Sequence, residues 1–588
     1  MKRFIDLISE QMADAFEQAG YDRSYGRVTV SNRPDLCEYQ CNGAMASAKA
    51  YGKKPIDIAT QVEAIVKENP MFSAVSAVMP GFLNLNISGE FVSNFVNDMM
   101  KEEKFGVSEP EKKQTIVIDY GGPNVAKPLH VGHLRPAVIG ESIKRIAKYA
   151  GHNVIGDVHL GDWGLPMGQI ITELQVRKPE LPYFDESFDG EYPQEAPFTI
   201  SELEEIYPFA SGKCKQDDEY KAKALKATAE LQSGRRGYRA LWKHILNVSV
   251  NDLKKNYAKM DVHFELWQGE SDVDDLIPAM VDKMKADGHA YLSEGALVVD
   301  VKKDTDKKEL PPCIILKSDG AANYETTDLA TIIQRERDFE PDSIIYVVDK
   351  RQELHFEQVF RTARKTGIVR ESTALEFVGF GTMNGKDGKP FKTRDGGVLR
   401  LEYLLKTISD EMFEKISAGK ELPEQEARSA ADMIALAALK YGDLSNQAQK
   451  DYIFDTEKFT SSEGNTGPYI LYTMVRIKSV LARYKAEGGL VEGLSVLPSS
   501  DAIQKNLLKD MATFNAMVDE AFKERAPHKI CAFMYNLAND FNSFYHEVKI
   551  LSEEDETKKK GYIAILVDAL KLFEACIDML GFSAPERM

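Results

Sequence analysis

Cysteines and long apolar runs are scarce in this chain of 588 residues, and each scarcity argues against a class of protein. The six cysteines are scattered, which indicates a reducing cytoplasm rather than a disulfide framework. Cys37 and Cys41 form the one close pair, and no second pair completes a zinc site. The longest apolar runs, such as MIALAAL at 433–439, are too short to span a bilayer, so no membrane association is expected.

Two common nucleotide-binding loops and a secretory signal are also missing. The chain has no G-x-x-x-x-G-K-[ST] loop, and no G-x-G-x-x-G turn follows its first parallel-strand pattern. The opening MKRFIDLISEQMADAF is an amphipathic helical pattern with acidic residues and no small-residue cleavage site, so we expect a cytoplasmic protein without a signal peptide. The net charge of −18 argues against indiscriminate binding of nucleic acid.

The sequence patterns divide the chain into three parts. Several domains are expected, because the chain is longer than a single hydrophobic core usually supports. Residues 1–106 alternate helical and strand patterns, which predicts a small α+β domain. Residues 113–400 open with a buried-strand pattern, a helix and a second strand, which predicts a right-handed βαβ unit, with a mainly helical insertion at about 172–300. Residues 401–588 are almost entirely helical in pattern, so the predicted fold class is α/β multidomain.

Two histidines occupy the first strand-to-helix turn, in the stretch PNVAKPLHVGHLRPAVIGE. His130 and His133 are three residues apart at the start of a helix and therefore share a face. The free N–H groups and dipole of a helix N-terminus favour phosphate, and Gly132 lets a ligand approach the backbone. The turn is a candidate polyphosphate site, although half of a metal site or incidental surface histidines would share this pattern.

This stretch resembles the HIGH motif of class I aminoacyl-tRNA synthetases, in the form carried by the arginyl-tRNA synthetases. Further segments resemble the same family in the same order, and together they cover essentially the whole chain. They are IDYGGPN at 118–124, HLGDWG at 159–164, YETTDLATI at 324–332, VVDKRQELHFEQVF at 347–360, EGNTGPYILYTMVRIKSVL at 463–481 and the closing LGFSAPERM.

The resemblance implies an arginine–tRNA ligase with a Rossmann-like parallel-sheet catalytic domain. An N-terminal domain would approach the tRNA elbow, and an all-α C-terminal domain would bind the anticodon. Arginine and ATP would give arginyl-adenylate and pyrophosphate, and arginine would then pass to the 3′-terminal adenosine of tRNA(Arg). The family suggests a monomer, and Mg²⁺ is expected from the chemistry of ATP.

The residues implied at the phosphates begin with His130 and His133, which would stabilise the developing charge. The second motif of class I enzymes, KMSKS, has no clean match in GTMNGKDGKPFKTRDGG at 381–397. Many arginyl enzymes with this departure carry a lysine just before the HIGH motif, so Lys127 is expected to supply the missing cation. The alternative is that Lys127 is a solvated residue at a bend. Further ATP contacts are expected from Gly132, His355, Lys389, Lys392 and Arg394.

The substrate's guanidinium is planar with five donors, so paired carboxylates are the means of separating it from the point charge of lysine. The guanidinium-binding positions of the family fall on Asp119, Tyr324 and Asp328, of which the last two share one helix face. Asn124 and Gln352 match the positions that hold the α-amino end. Asp119 departs from the pattern, because a longer glutamate is often found there.

Contacts with tRNA are implied at both ends of the chain. Unpaired bases are read by stacking and by hydrogen bonds to their edges. Tyr469 and Tyr472 match aromatic positions near the anticodon, and Tyr545 is a further candidate, although tyrosines three apart on a helix can equally be core residues. In the first domain, Phe82 and Asn84 are expected to face RNA, with strand-core packing as the alternative for Phe82.

Two rival functions remain open at this point. One is an H-x-G-H nucleotidyltransferase that acts on a small molecule without RNA, although such enzymes are usually shorter and lack a helical tail. The other is a tRNA-binding relative that has lost activation, in which the two histidines or the acid pair would be missing. His130, His133, Asp119 and Asp328 are all present.

Overall fold

The computed structural model describes residues 1–127, 129–389, 400–419, 422–499 and 501–588. Two of the expected ATP contacts, Lys392 and Arg394, lie outside these ranges. Within them, no helix combines the length and the apolar character that crossing a membrane requires.

The N-terminal part is an antiparallel sheet packed against helices. Its elements are α1 (Phe4–Gln18), β1 (Val28–Val30), β2 (Tyr39–Cys41), α2 (Gly43–Tyr51), α3 (Pro55–Val66), β3 (Phe72–Val78), β4 (Phe82–Ile87) and α4 (Gly89–Met99). The strands pair in the order β1-β2-β4-β3. Leu83, Leu85 and Ile87 alternate along β4 and are fully buried, so one face of this sheet forms the local core.

The central part contains the parallel sheet and the segments inserted into it. Its elements are β5 (Thr115–Tyr120), α5 (Leu134–Tyr149), β6 (Asn153–Leu160), α6 (Leu165–Arg177), α7 (Ile200–Cys214), α8 (Asp218–Gln232), α9 (Arg236–Lys259), β7 (Leu266–Gly269), α10 (Ile277–Ala286), β8 (Ala290–Ser293), β9 (Ala296–Val299), β10 (Cys313–Leu316), α11 (Tyr324–Phe339), β11 (Ser343–Asp349), α12 (Glu353–Lys365), β12 (Ala374–Phe380) and β13 (Met383–Asn384).

Five strands form the main sheet in the order β12-β11-β5-β6-β7, and all neighbours are parallel. Ile116, Val117 and Ile118 of β5 are completely buried, as expected for a central parallel strand that is covered on both faces. The helical insertion holds α7, α8 and α9, after which β7 rejoins the sheet beside β6. Strands β8, β9 and β10 form a separate small antiparallel sheet.

The C-terminal part is helical apart from one very short strand. Its elements are α13 (Leu401–Ala418), α14 (Glu424–Leu444), β14 (Tyr452–Ile453), α15 (Thr456–Phe459), α16 (Gly467–Ala486), α17 (Ala502–Ala512), α18 (Phe514–Lys523), α19 (His528–Glu547) and α20 (Glu556–Leu580). β14 pairs with β13 of the central part. The parallel sheet, the small N-terminal sheet and this helical part agree with the predicted architecture.

Helix α5 connects the sheet with the helical part and is buried almost all round. Its Arg135 is 2% exposed, and its Nε lies 2.9 Å from Oδ2 of the fully buried Asp443 on α14. Arg135 also donates to the backbone carbonyls of Gly381 and Lys450. One guanidinium therefore joins α5, the end of the sheet and the helical part.

A second buried cation reinforces this junction. Lys440 of α14 is fully buried and donates hydrogen bonds to the backbone carbonyls of Asp261, which follows α9, and Gly581, which ends α20. Burial lowers the pKa of Lys440 to about 7, and the nearby Arg145 acts in the same direction. The insertion, the last helix and α14 thus meet at one amine.

We expect Asp443→Asn to lower the thermal unfolding midpoint, because it leaves the Arg135 guanidinium buried without its carboxylate, which costs about 3–5 kcal/mol. The matched control is Asp410→Asn on α13. Asp410 pairs with Lys406 and Arg428 at the surface, so its loss should leave the midpoint nearly unchanged. Equal midpoint shifts for the two variants would show that the buried pair does not hold the parts together.

Candidate active site

The candidate site lies in the crevice at the carboxyl ends of the parallel strands. β5 and β11 are neighbours in the sheet. The crossover after β5 leads to β6 on one side of this pair, and the crossover after β11 leads to β12 on the other side. Such a reversal opens a crevice beyond the strand ends, where α/β proteins bind ligands. The histidine turn follows β5, the segment with Asp162 follows β6, and the turn Lys350–Gln352 follows β11.

The two histidines of the turn are ordered by backbone hydrogen bonds. The ring centroids of His130 and His133 are 3.9 Å apart. Nδ1 of His133 accepts from the backbone N–H of His130 at 3.2 Å, and Nδ1 of His130 accepts from Gly132 at 3.1 Å. Because Nδ1 is the acceptor in both neutral rings, we assign the ring hydrogen to Nε2, which can donate to a ligand. A Cβ at Gly132 would lie 2.8 Å from Cε1 of His130, so a side chain there would displace the His130 ring.

The electrostatics of this turn keep both imidazoles neutral. Burial, with the positive charge of Lys127, lowers the pKa of His130. Burial, His130 and Lys127 together lower the pKa of His133 to about 3. The full positive charge at the turn is therefore carried by Lys127, and the histidines contribute N–H donors.

Lys127 itself rests against a residue of the insertion. Its Nζ lies 4.7 Å from the ring centroid of Tyr207 on α7. Ala126, immediately before it, has the positive φ of 61°, which is uncommon for a residue other than glycine and marks a tight bend. Tyr207 lies 80 positions further along the chain, and no local sequence signal indicates this contact.

Two acids and a histidine form one wall of the crevice. The side chain of Asn323 caps α11 by accepting from the backbone N–H of Thr326, which sets the first turn on which Tyr324 and Asp328 lie. His355 Nε2 lies 2.5 Å from Oδ2 of Asp328, and its Nδ1 lies 3.5 Å from Glu325. Burial lowers the pKa of His355, but the hydrogen bonds to Asp328 and Glu325 outweigh burial and raise it to about 9. The structure thus places His355, predicted as an ATP contact, against Asp328, which was predicted for the guanidinium pocket.

Asp119 has an internal partner that the sequence did not indicate. Nη2 of Arg335 lies 2.7 Å from Asp119 Oδ2 and 2.6 Å from Asp157 Oδ2. Arg335 and Asp157 are fully buried, whereas the Asp119 side chain is 14% exposed. Asp119 and Asp157 are register partners on β5 and β6, so the arginine bridges two carboxylates side by side. A buried strand aspartate needs a cation or donors, which is the one sequence signal that could have pointed to this pair.

Glu270 is a further acid in the crevice, and the sequence analysis missed it. Burial raises the pKa of Glu270 to about 7, and the neighbouring Asp162 and Asp328 add to this against the effect of His159. Asp162 is buried and accepts from the backbone N–H and hydroxyl of Ser271, which fixes the turn that carries Glu270.

The remaining predicted contacts lie around this pocket. Tyr324 is 69% exposed, and partial burial, Glu270 and Tyr207 together raise the pKa of its hydroxyl. Asn124 pairs with Gly161 at the end of β6, and a Cβ on Gly161 would lie 2.2 Å from Asn124 Oδ1. Gln352 is exposed in the turn after β11. Lys389 is exposed as well, and its backbone carbonyl accepts a hydrogen bond from the N–H of Gly385.

The predicted RNA contacts divide into two groups. In the helical part, the guanidinium of Arg476 lies 5.1 Å from the ring centroid of Tyr472 and 5.2 Å from that of Tyr545. Tyr472 is 45% exposed, whereas the hydroxyl of Tyr469 bonds to Asn539 and Asn542. The sequence analysis missed Arg476, Asn539 and Asn542.

The candidates in the N-terminal sheet are less accessible. Phe82 is half-buried, and Asn84 is 8% exposed with its amide oxygen accepting from Gln40 at 3.0 Å. Their contact with RNA stays a prediction.

Three family models match the chain in sequence order. The model described as Arginyl tRNA synthetase N terminal domain matches residues 2–87. The model for tRNA synthetases class I (R), catalytic domain, matches 95–456, and the DALR anticodon binding domain matches 470–588.

Full-length relatives and solved structures agree with these models. The Arginine--tRNA ligase of Agathobacter rectalis is 63% identical over 597 residues, and that of Alkaliphilus oremlandii is 55% identical over 588, with complete coverage of both chains in each case. The arginyl-tRNA synthetase structures from Plasmodium falciparum and Thermus thermophilus align with TM-scores of 0.81 and 0.77 at 24% and 21% identity, again over both whole chains. The structures support the fold, and the sequence relatives support the family.

The raised pKa of His355 makes stability depend on pH. A histidine with a raised folded-state pKa stabilises the fold fully below about 6.5, and this contribution is lost as the pH rises through about 9. We expect His355→Gln to cost on the order of 2 kcal/mol at the acidic end of this window and progressively less at the alkaline end.

Thermal unfolding of both proteins across this pH window measures the effect. The control is His546→Gln, which changes an exposed histidine and should give a small, pH-independent difference. A His355→Gln difference that stays constant across the window would contradict the ion pair with Asp328.

Proposed function

The chain belongs to the arginyl-tRNA synthetase family of class I, and we propose that the crevice described above carries out the ATP-dependent ligation of arginine to tRNA. One observation carries this assignment to particular residues. A donor cluster (Lys127, His130 and His133) and an acid pocket (Asp119, Asp328 and their neighbours) share one crevice at the carboxyl ends of the strands. The substrate has the complementary charges, a guanidinium at one end and a carboxylate that joins a phosphate at the other.

The donor cluster serves the first step of the reaction. An oxygen of the arginine carboxylate attacks the α-phosphorus of ATP, the bond from that phosphorus to the bridging oxygen breaks, and pyrophosphate leaves. No protein nucleophile takes part, so the protein contributes orientation and stabilisation of negative charge. The Nε2 donors of His130 and His133 and the Lys127 ammonium supply that stabilisation from one turn.

The acid pocket selects the side chain of the substrate. Asp119 and Asp328 each have one oxygen engaged inside the protein, by Arg335 and His355, which fixes the orientation of both carboxylates. The second oxygen of each forms no hydrogen bond among the described residues and is assigned to the guanidinium. Tyr324 completes this group, and Asn124 and Gln352 are assigned to the α-amino end.

ATP enters as its magnesium complex in this proposal. The described ranges contain no group of three or more His, Cys, Asp or Glu side chains arranged to hold a metal ion. Mg²⁺ is commonly bound through substrate phosphates and water rather than by an all-protein cage. His355 and Lys389 remain proposed nucleotide contacts. All six thiols are free and buried, which supports the proposed cytoplasmic location, and a monomer is proposed from the family alone.

The helical part from residue 401 to the end is the proposed anticodon-binding domain. Arg476 lies between Tyr472 and Tyr545, and together the three offer planar faces for unstacked bases as well as a positive charge near the RNA backbone. Residues 1–106 are the proposed elbow-binding domain, and residues 113–400 the catalytic domain.

We expect Asp328→Asn to lower kcat/KM for arginine about 30-fold or more while changing the KM for ATP little, because losing one partner of a buried charge pair costs about 2–5 kcal/mol. Charging of tRNA with labelled arginine measures the effect, and citrulline, which is similar in shape but neutral, should be rejected by both proteins. Asp338→Asn, at the far exposed end of the same helix, is the matched control. Unchanged efficiency in Asp328→Asn would remove Asp328 from the guanidinium pocket.

We expect Tyr472→Ala to raise the KM for tRNA and leave those for ATP and arginine nearly unchanged, because one base–aromatic stack contributes about 1–3 kcal/mol. A tRNA with an altered anticodon provides the control. If Tyr472 reads the anticodon, wild type discriminates against the altered tRNA more strongly than the variant does. Equal discrimination by both proteins would assign Tyr472 to another role.

A further inference from the structure

The Lys127 ammonium is held in an unusual way for a charged group at a half-buried position. Among the described residues, no carboxylate lies within ion-pair distance of it, and its Nζ lies 4.7 Å from the ring centroid of Tyr207. His130 and His133 are neutral imidazoles whose pKa values the lysine lowers. No described carboxylate therefore competes for the N–H donors of the ammonium.

An aromatic ring and a carboxylate would affect this lysine differently. A carboxylate would neutralise the charge and compete with any phosphate for the same N–H donors. The face of a ring attracts a cation through its quadrupole, which restricts where the ammonium lies and leaves the charge available. At a site that must attract the phosphates of ATP, the ring is the suitable partner.

Helix α7 also contacts the segment at Arg400, which pairs with the histidine turn. Glu204, one turn before Tyr207, lies 3.0 Å from Nη2 of Arg400 and is 11% exposed. Arg400 forms an antiparallel bridge with His130, and the backbone N–H of Leu401 donates to Leu129 at 3.1 Å. One short stretch of α7 thus contacts Lys127, just before the histidine turn, and Arg400, which pairs with His130. Tyr207 also lies near Tyr324 of the proposed arginine pocket.

We propose that Tyr207 is a positioning residue that holds the Lys127 ammonium at the phosphate site through its ring face. The proposal deepens the function proposed above and rests on the assignment of Lys127 to the phosphates of ATP. The hydroxyl of Tyr207 is not needed for this role, because the attraction comes from the ring.

The test compares two substitutions of Tyr207 by ATP–pyrophosphate exchange in the presence of tRNA. Tyr207→Phe keeps the ring and should retain wild-type kinetics. Tyr207→Leu removes the ring face and should lower kcat/KM for ATP about two- to thirtyfold, with the tRNA dissociation constant unchanged. Tyr207→Met fills the same space with a flexible side chain and replaces Tyr207→Leu if the latter fails to fold.

Phe209→Leu is the matched control on the same helix. Phe209 is half exposed and its ring faces Arg177 and Lys213 rather than Lys127, so the exchange kinetics should not change. Equal losses in Phe209→Leu and Tyr207→Leu would show a general effect of disturbing α7 and would overturn the proposal.

A double-mutant cycle separates the proposal from the function on which it rests. If Tyr207 acts through Lys127, Tyr207→Leu adds no further loss in the Lys127→Gln background. An equal loss in that background, or a normal Tyr207→Leu beside an impaired Lys127→Gln, overturns the role of Tyr207 alone. A Lys127→Gln enzyme with normal exchange overturns the assignment of Lys127 to ATP, and the role of Tyr207 with it.

Discussion

Helix α5 and its buried arginine determine the position of the histidine turn. The helix begins directly after His133, so any rotation or shift of α5 moves both imidazoles. Arg135 lies two residues further on and is held by Asp443 of the helical part and by two carbonyls near the end of the sheet. A buried guanidinium tolerates few alternative positions, because every displacement leaves donors or a charge unsatisfied in a medium of low dielectric. The histidine turn is therefore positioned jointly by the sheet and the helical part.

This arrangement gives a physical route by which the helical part can affect the active site. Ser142 of α5 donates to the carbonyl of Met579 at the end of α20, and Lys440 joins α14 to Gly581 and Asp261. These contacts link the last helix of the chain, the end of the insertion and the helix that starts with the histidine turn. They are short-range and polar, so a displacement of one element must be accommodated by the others.

The crevice contains two different arrangements of charged groups. At the turn after β5, neutral imidazoles and one lysine provide donors without a neutralising carboxylate among the described residues. At the opposite wall, internal cations orient the carboxylates, with Arg335 on Asp119 and His355 on Asp328. Preorganised groups of this kind need not rearrange when the substrate arrives, which is the condition for strong electrostatic stabilisation of a transition state. In the proposed function, this separation would orient arginine, because its guanidinium and its reacting carboxylate need groups of opposite charge.

Local sequence patterns predicted several of the elements, and the family resemblance supplied the candidate residues that lie on them. The β-branched run before Gly121 predicted β5, the helical pattern after it predicted α5, and the spacing of Tyr324 and Asp328 predicted a shared helix face. These features depend on neighbours within a few residues, where periodicity and capping operate. The sequence did not indicate the roles of Arg335, Glu270, Tyr207 and Arg476, because their contacts join positions far apart in the chain. Only the register of β5 with β6 sets Asp119 beside Asp157. Only the packing of distant segments supplies the burial that shifts the pKa values of His133 and Glu270, and the ion pairs that raise the pKa of His355. The sequence by itself thus determined which chemical groups are available, and the tertiary structure decided their partners, since desolvation and ion pairing depend on what the fold brings within a few ångströms.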